Sequence, residues 1–436
     1  MGCCHHYFAP AEGGDNAFTI DASTLTFGAG CLREAGEQAR GLGMKRVGIY
    51  TDAGVKKLPP LGTVTGSLKA AGIDYAIYDE VRVEPTDASF TAAARFAADG
   101  KFDGFLSLGG GSVMDTCKAA NLYSTYPADF LTYVNAPIGG GQPISGPLKP
   151  HIACPTTAGT GSEATGIAIF DLLAMKAKTG IQSRHLKPTT GLIDPEVTAT
   201  LPSTIVASTG FDAMSHALET LTDISYARRA RQPRGSARPP SQGANPFSDM
   251  VAFESLGLIG KYLVRAVNDP ADTEARAEMM YAATLAGIAF GNAGCHLPHG
   301  MSYAVSGLVR EYRAPHYPQH EPFVPHGMSV VLNAPSVYRF TASACPDRHL
   351  DAAQRLGADV RGATPADAGE VLAGQIIRFM QATRFPGGLG SIGFTERDLD
   401  ALVEGAWPQQ RVIKNAPREV SRDDLRELFR GALAYW

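Results

Sequence analysis

No two of the seven cysteines, at positions 3, 4, 31, 117, 154, 295 and 345, stand at CxxC spacing, and their number is odd. A disulfide framework is thereby disfavoured, and a reducing compartment is the default for a chain this long. No apolar run approaches the roughly 18 residues that a membrane helix needs. Nor does either sign of charge dominate. The 39 Lys+Arg and 43 Asp+Glu leave a formal net charge of −4, without the basic stripe of a nucleic-acid binder. The N-terminal MGCCHHYFAP lacks the basic region and long apolar core of a secretory signal. It also lacks an Arg/Ser-rich amphipathic presequence, which predicts a cytoplasmic, bacterial-type location. GxGxxG and P-loop spacings do not occur around the glycine-rich turns discussed below, so the ordinary phosphate fingerprints do not apply.

What is present is glycine, 48 of 436 residues, about 11% against a usual share of about 7%, and an alternation confined to the first half. Apolar runs at Arg46–Asp52, Tyr75–Asp79, Phe102–Gly111, His151–Thr156, Gly166–Asp171 and Gly191–Asp194 alternate at first with helical stretches near 53–72, 86–99 and 112–123. That rhythm predicts a mostly parallel sheet of six or more strands with helices on both faces. The period-two segment Phe18–Gly28 suits an antiparallel edge or hairpin. Beyond Asp194-Pro195 the strand signals fade, and helical patterns recur near 249–267, 272–291, 326–342, 347–356, 365–382, 395–405 and 421–435. The expected organisation is an α/β domain over 1–200 and an all-helical domain over 201–436. The latter is interrupted by an Arg/Pro-rich insertion, 225–247, with four prolines and five arginines.

Six groups of residues are candidates to carry chemistry. Gly109-Gly110-Gly111-Ser112 joins a strand to a helix N-terminus, where free N–H groups and the helix dipole suit a pyrophosphate. Pro155-Thr-Thr-Ala-Gly-Thr-Gly-Ser-Glu163 follows a strand with four hydroxyls and two glycines, suited to phosphate or amide hydrogen bonds or to capping a helix. Asp52, at the end of the first alternating strand, can accept ribose hydroxyls and repel a 2′-phosphate, favouring NAD over NADP, or can cap the next helix. The metal signal is Asp212 and His216 at i, i+4 on one helix face. Downstream lie His296-Leu-Pro-His299-Gly300 and Pro325-His326-Gly327. One carboxylate with two or three imidazoles makes a first shell for Fe2+ or Zn2+; spacing alone does not choose between His296 and His299. Cys3, Cys4, His5 and His6 form a further small donor cluster. Arg228, Arg229, Arg231, Arg234 and Arg238 crowd one loop and could hold a carboxylate, or form a solvated basic loop or a subunit contact.

The ordered elements GGGSVMD, PTTAGTGSE, TGFDAMSHALE, HLPHGM and VPHGM resemble the iron-containing (group III) alcohol dehydrogenases across about residues 18–436. The resemblance implies a dinucleotide-binding α/β domain and a helical metal-binding domain, with metal and nicotinamide meeting in the cleft between. It implies metal ligands at Asp212, His216, His299 and His326, so it selects His299. Its NAD contacts correspond to Asp52, Gly110, Gly111, Ser112, Thr156, Thr157, Thr165 and Lys178. Many members carry a proton-relay histidine four residues beyond the third ligand; here that position is Tyr303, which leaves Tyr303 or His296 as the candidate catalytic relay. A narrower resemblance, carried by VRVEPTDASF, MDTCKAANLY, LKPTTGLIDPEVT, QGANPFSD and FGNAGCHLPHGMSYAVSGLV, is to the hydroxyacid–oxoacid transhydrogenase branch. That branch implies metal-dependent hydride transfer from 4-hydroxybutyrate to 2-oxoglutarate through bound NAD, giving succinate semialdehyde and D-2-hydroxyglutarate. The expected partners are small hydroxy acids and oxo acids, with no nucleic acid and no membrane, and a homo-oligomer is compatible. An NAD-dependent alcohol dehydrogenase that releases NADH would share every motif. A lyase of the dehydroquinate-synthase type is the remote alternative.

Overall fold

Six short strands assemble into one wholly parallel sheet: β1 (Thr24–Phe27), β2 (Arg46–Tyr50), β3 (Asp74–Tyr78), β4 (Gly104–Gly109), β5 (His151–Pro155) and, after the hairpin described next, β8 (Thr190–Ile193). Their order across the sheet is β1-β8-β5-β4-β2-β3. Between β5 and β8 in sequence, β6 (Ile167–Leu172) and β7 (Ala177–Gln182) leave the sheet and pair with each other antiparallel. The computed structural model describes residues 7–175, 177–232, 238–317 and 321–436. Cys3, Cys4, His5, His6 and Arg234 lie outside them.

The predicted rhythm is realised with shifted boundaries. Helices α1 (Ala35–Gly41), α2 (Pro59–Ala70), α3 (Asp87–Gly100) and α4 (Gly111–Thr125) form the crossovers that parallel pairing demands. β4 and β5 are buried along their whole length, as expected of strands covered on both faces. Aromatic residues fill one core, where Tyr50, Tyr78, Phe102 and Phe105 pack with Val113 and Cys117 of α4. A second core gathers Phe90, Leu122, Tyr123, Phe170 and Ile181. The antiparallel edge expected at Phe18–Gly28 is corrected: β1 is an edge strand, but it runs parallel to β8 in the register Thr24↔Thr190. Period-two alternation reports a strand with one face covered and carries no information about direction.

The chain divides into two units, Ala22–Ala199 and Thr200–Trp436 with Met1–Asp21. The segment before Ala22 therefore groups with the helices, not with the sheet where the sequence placed it. Side chains explain why. Asp15 is paired by Arg238 (3.2 Å), Gly14 accepts from Arg231 Nε (3.1 Å), and the Tyr7 hydroxyl accepts from Arg348 (3.0 Å). The helical unit contains α5 (Ser203–Thr222), α6 (Pro246–Asn268), α7 (Thr273–Asn292), α8 (Leu297–Leu308) and α9 (His326–Val331), followed by further helices to Gly431. The single helix expected over 326–342 breaks after Val331 and resumes at Ala334–Thr341, with Pro335 in its first turn.

Two buried histidines give the fold a pH dependence. His151, at the start of β5, bonds Ser107 Oγ through Nε2 (2.8 Å). Burial, aided by the charge of Lys118, pushes its imidazole down to about 3. His349 is engaged by Thr341 Oγ1 and the Cys345 carbonyl, both at 2.9 Å, and burial takes it to about 4. Both stay neutral in the fold while the unfolded chain takes up protons below about pH 6.5. Stability is therefore expected to fall as pH drops from about 6.5, by about 1.4 kcal/mol per pH unit for each group. The loss continues until pH about 3 for His151 and about 4 for His349. Urea midpoints between pH 7.5 and 5 check this: His151→Gln is expected to shallow the slope, and an unchanged slope would refute the assignment.

Candidate functional site

Two sites emerge, one in each unit. In the α/β unit the strand order reverses at β2, because β3 lies on one side of it and β4 on the other. Ligands of open α/β sheets bind beyond the carboxyl ends of the strands at such a switch point. Asp52 follows β2 there, and Gly110 and Gly111 follow β4. Thr51 Oγ1 donates to the Leu108 carbonyl (2.9 Å), tying the two loops together. Asp52 Oδ1 accepts the N–H groups of Gly54 (2.7 Å) and Val55 (2.9 Å), so it does cap the following turn.

The glycine loop and the threonine loop are packed against each other. Thr156 N–H donates to the Gly109 carbonyl (3.0 Å). A Cβ on Gly111 would come within 2.7 Å of Thr160 Cγ2, and one on Gly110 within 3.3 Å of Thr157 Oγ1. Glycine is needed at Gly111 for this close approach. Gly110 is the N-cap of α4 and has no side chain to occupy the helix's free N–H groups. Ser112 Oγ accepts the Glu84 N–H (3.2 Å), and Thr165 is buried in extended backbone just past the threonine loop. Lys178, on β7, pairs with Glu84 and with Asp171 (3.0 Å); burial opposes its charge, and the two carboxylates restore it.

Lys118 escaped the sequence reading. Wholly buried, it donates to Ser162 Oγ (2.5 Å) and the Ile167 carbonyl (2.8 Å), while Ser162 Oγ donates to Asp115 (2.6 Å). Burial holds its ammonium below the ordinary lysine range despite Asp115. This network binds α4 to the threonine loop and β6. Its signal was the Asp115/Lys118 pair at i, i+3 directly after the glycines.

In the helical unit, three imidazoles converge on one carboxylate oxygen. Asp212 Oδ1 lies 3.8 Å from His216 Nε2, 3.5 Å from His299 Nε2 and 3.7 Å from His326 Nε2. Asp212 and His216 come from one face of α5, His299 from the first turn of α8, and His326 opens α9. Asp212 Oδ1 and His299 Nε2 are buried with no hydrogen-bond partner. Orphaned acceptors and ring nitrogens turned toward one point are what a cation would satisfy, so the residues present fit a divalent metal ion. Burial alone would raise the Asp212 carboxyl, but the imidazoles of His216, His326 and His299 hold it well below the usual range. Burial takes His216 down to about 4, and its ring stacks on Phe290 at 4.0 Å. His326 keeps 30% side-chain exposure while Asp212, His216 and His299 keep 6% or less, which leaves one open side.

Glu219 is the second residue that sequence reasoning missed. Its Oε1 takes the His299 Nδ1–H at 2.5 Å, and its Oε2 accepts the His296 backbone N–H at 2.6 Å. A carboxylate on the far nitrogen fixes the ring's orientation and turns Nε2 inward. The spacing Asp212, His216, Glu219 (i, i+4, i+7) keeps all three on one helical face and was available in the sequence. His296, considered above as a relay, is fully buried, and its Nε2 bonds Thr222 Oγ1 at 2.7 Å. Burial pushes it down to about 4, so it neither charges near neutrality nor reaches solvent. Tyr303 is half-buried on α8, one turn beyond His299. The arginine expectation is also revised. Arg229 pairs with buried Asp223 (3.0 Å), and Arg231 and Arg238 hold the N-terminal segment, so these three are committed within the unit.

Comparisons with known proteins cover both halves of the chain. The family model "Iron-containing alcohol dehydrogenase" matches residues 22–195, and "Fe-containing alcohol dehydrogenase family, C-terminal" matches 240–433. The mitochondrial hydroxyacid-oxoacid transhydrogenase of Bos taurus is 51% identical over 421 residues, spanning 96% of this chain and 90% of that protein. The Homo sapiens protein of the same name is 50% identical over the same shares. Among solved structures, an alcohol dehydrogenase from Oenococcus oeni superposes with a TM-score of 0.84 at 26% identity, covering 95% of this chain and all of that one. NADH-dependent butanol dehydrogenase A from Thermotoga maritima gives 0.78 at 25% identity, covering 97% and 99%. The cytoplasmic expectation is overturned by these relatives, whose names place them in the mitochondrion. Location is set by short address segments, about which the composition of the enzyme body says nothing.

Proposed function

The chain belongs to the iron-containing alcohol dehydrogenase family, and on that premise we propose that it is a hydroxyacid–oxoacid transhydrogenase. It is an oxidoreductase. The proposed reaction moves hydride from 4-hydroxybutyrate to 2-oxoglutarate, giving succinate semialdehyde and D-2-hydroxyglutarate. The observation that carries the reading is the convergence of Asp212, His216, His299 and His326, in a chain half identical to proteins of that name over 96% of its length.

Asp212, His216, His299 and His326 would hold the metal, Fe2+ as the family name implies, with Zn2+ as the alternative. Asp52, Gly110, Gly111, Ser112, Thr156, Thr157 and Thr165 would hold NAD, with Lys178 braced by Glu84 and Asp171. Bound there, the ion supplies Lewis acidity that lowers a hydroxyl's pKa, and the nicotinamide supplies the hydride acceptor. The residues do the rest. Asp212 contributes the one formal negative charge among the four donors, so these residues would leave the charge of a divalent ion only half neutralised. Glu219 holds the His299 proton on Nδ1 and leaves Nε2 free to donate its lone pair. Tyr303, one turn from His299, is the group proposed to pass the hydroxyl proton onward.

Metal-reconstituted protein given 4-hydroxybutyrate and 2-oxoglutarate, without added NAD, tests the reading. Succinate semialdehyde and 2-hydroxyglutarate are expected in equal amounts. Turnover that requires added NAD and accumulates NADH in solution would replace it with a dehydrogenase that releases its cofactor.

A further inference from the structure

Three of the four proposed metal donors sit on two helices whose near ends meet. α5 brings Asp212 and His216 and is closed by Asp223 as its C-cap, while α8 brings His299 and starts from His296 as its N-cap. Asn415, just past the short helix Gln410–Ile413, reaches both ends. Its Nδ2 donates to the Cys295 carbonyl at 2.8 Å, and its own carbonyl accepts the Ile224 N–H at 2.9 Å. Asn415 is itself fixed, its N–H donating to the Val412 carbonyl at 3.0 Å. The junction is packed as well as bonded. Gly294 turns at φ +129°, and a Cβ there would stand 2.9 Å from Asp223 Oδ2 and 3.3 Å from Asn415 Nδ2. The same segment touches α8 beside the ligand, because a Cβ on Gly300 would stand 3.0 Å from Ile413 Cγ1. Little slack remains between this junction and the centre. The residue after Cys295 donates its N–H to Glu219 at 2.6 Å, and Glu219 in turn holds His299 Nδ1 at 2.5 Å.

We propose that Asn415 is a positioning residue for the metal centre: it ties the end of α5 to the start of α8 and so sets His299 against Asp212 and His216. It acts through Cys295 and Ile224, neither of them a proposed ligand. Metal–ligand distances hold to within about 0.2 Å, so a small shift of one helix end against the other is felt by the ion. Removing the side-chain amide frees the Cys295 carbonyl and leaves the backbone bond to Ile224 in place. This inference rests on the metal-centre reading above, and the experiment separates the two.

Co2+ is added at one equivalent to the metal-free full chain carrying Cys3→Ser, Cys4→Ser, His5→Ala and His6→Ala, so that the N-terminal donors cannot contribute. Visible d–d bands report the geometry at the centre, and their decay in excess chelator gives the rate of metal loss. Asn415→Ala is expected to shift the bands and to speed the loss about tenfold, the lower end for groups that act behind a ligand. Asn121→Ala is the control. It breaks another amide-to-carbonyl bond of 2.8 Å, to Lys149 in the α/β unit, and is expected to lower the thermal midpoint with bands and rate unchanged. Bands and rate that stay put in Asn415→Ala, or that Asn121→Ala moves equally, would overturn the positioning role and leave the centre standing. If Asn415→Ala does not fold, Gly294→Ala decides, since its Cβ presses on Asp223 and Asn415 from the turn. The same shift and faster loss are expected there, and their absence overturns the role. If no visible bands form with Asn415 in place, the centre itself is refuted and the role of Asn415 falls with it.

Discussion

His299→Ala is expected to empty the metal centre, whereas His296→Ala, three residues away, leaves it loaded. His299 Nε2 is one of three imidazole nitrogens within 4 Å of Asp212 Oδ1. Removing it takes away a donor and also leaves buried Glu219 without the Nδ1–H at 2.5 Å. Loss of an outer partner alone costs metal sites about 10- to 100-fold in affinity, so loss of the ligand itself is expected to exceed about 100-fold. Activity should vanish with the metal. His296→Ala acts differently: it leaves a cavity and takes one of two hydrogen bonds from the Thr222 hydroxyl, which keeps the Leu218 carbonyl. That is a stability defect of about 2–4 kcal/mol. Metal content after dialysis, read beside the thermal midpoint, distinguishes them. Equal metal content in the two variants would show that the ligand assignment is wrong.

The second large effect is expected from Gly327→Ala. A Cβ on Gly327 would lie inside the van der Waals envelope of the Ser208 backbone carbonyl and 2.8 Å from Asp212 Cβ. Backbone cannot swing aside as a flexible side chain can, so α9 must move off α5, and His326 moves with it. Overpacking against a rigid neighbour costs about 3 kcal/mol or more here, and metal binding should weaken although no ligand was altered. Gly257→Ala, in the interior of α6 with nothing within 4 Å, is the control. It is expected to stabilise by up to about 1 kcal/mol through helix propensity. Wild-type stability and metal affinity in Gly327→Ala would refute the close-packing account of this His-Gly pair.

Legibility in the sequence varied with how local the physics was. The helix that carries Asp212 and His216 was readable, because i, i+4 places both on one face whatever surrounds them. The glycine turn was readable as a strand-to-helix junction. Its partner was not, because the contact of Gly111 with Thr160 depends on two loops brought together by the neighbouring strands β4 and β5. Lys118 carries no signal of its own in the sequence, yet it is wholly buried, and Glu219 lies inside a motif without an assigned role. In both cases the decisive partners lie 44 or more residues away. The arginines of the insertion looked like a carboxylate site by composition, and three of them turned out to face Asp15, Gly14 and Asp223.

By itself, the sequence determined the fold class and the family, and it supplied the residue types proposed for the metal centre. Periodicity, strand-to-turn glycines and the Asp-x-x-x-His face are properties of neighbouring residues, and short-range geometry is enough to express them. Tertiary structure alone decided that β1 runs parallel, that β6 and β7 form a separate hairpin, and that the N-terminal segment joins the helical unit. It also separated His299 from His296 on physical grounds: both are buried near Glu219, but only His299 aims a ring nitrogen at Asp212, while His296 is bonded to Thr222. Those outcomes depend on which distant backbone and side chains can satisfy a buried polar group, and no spacing along the chain encodes that pairing.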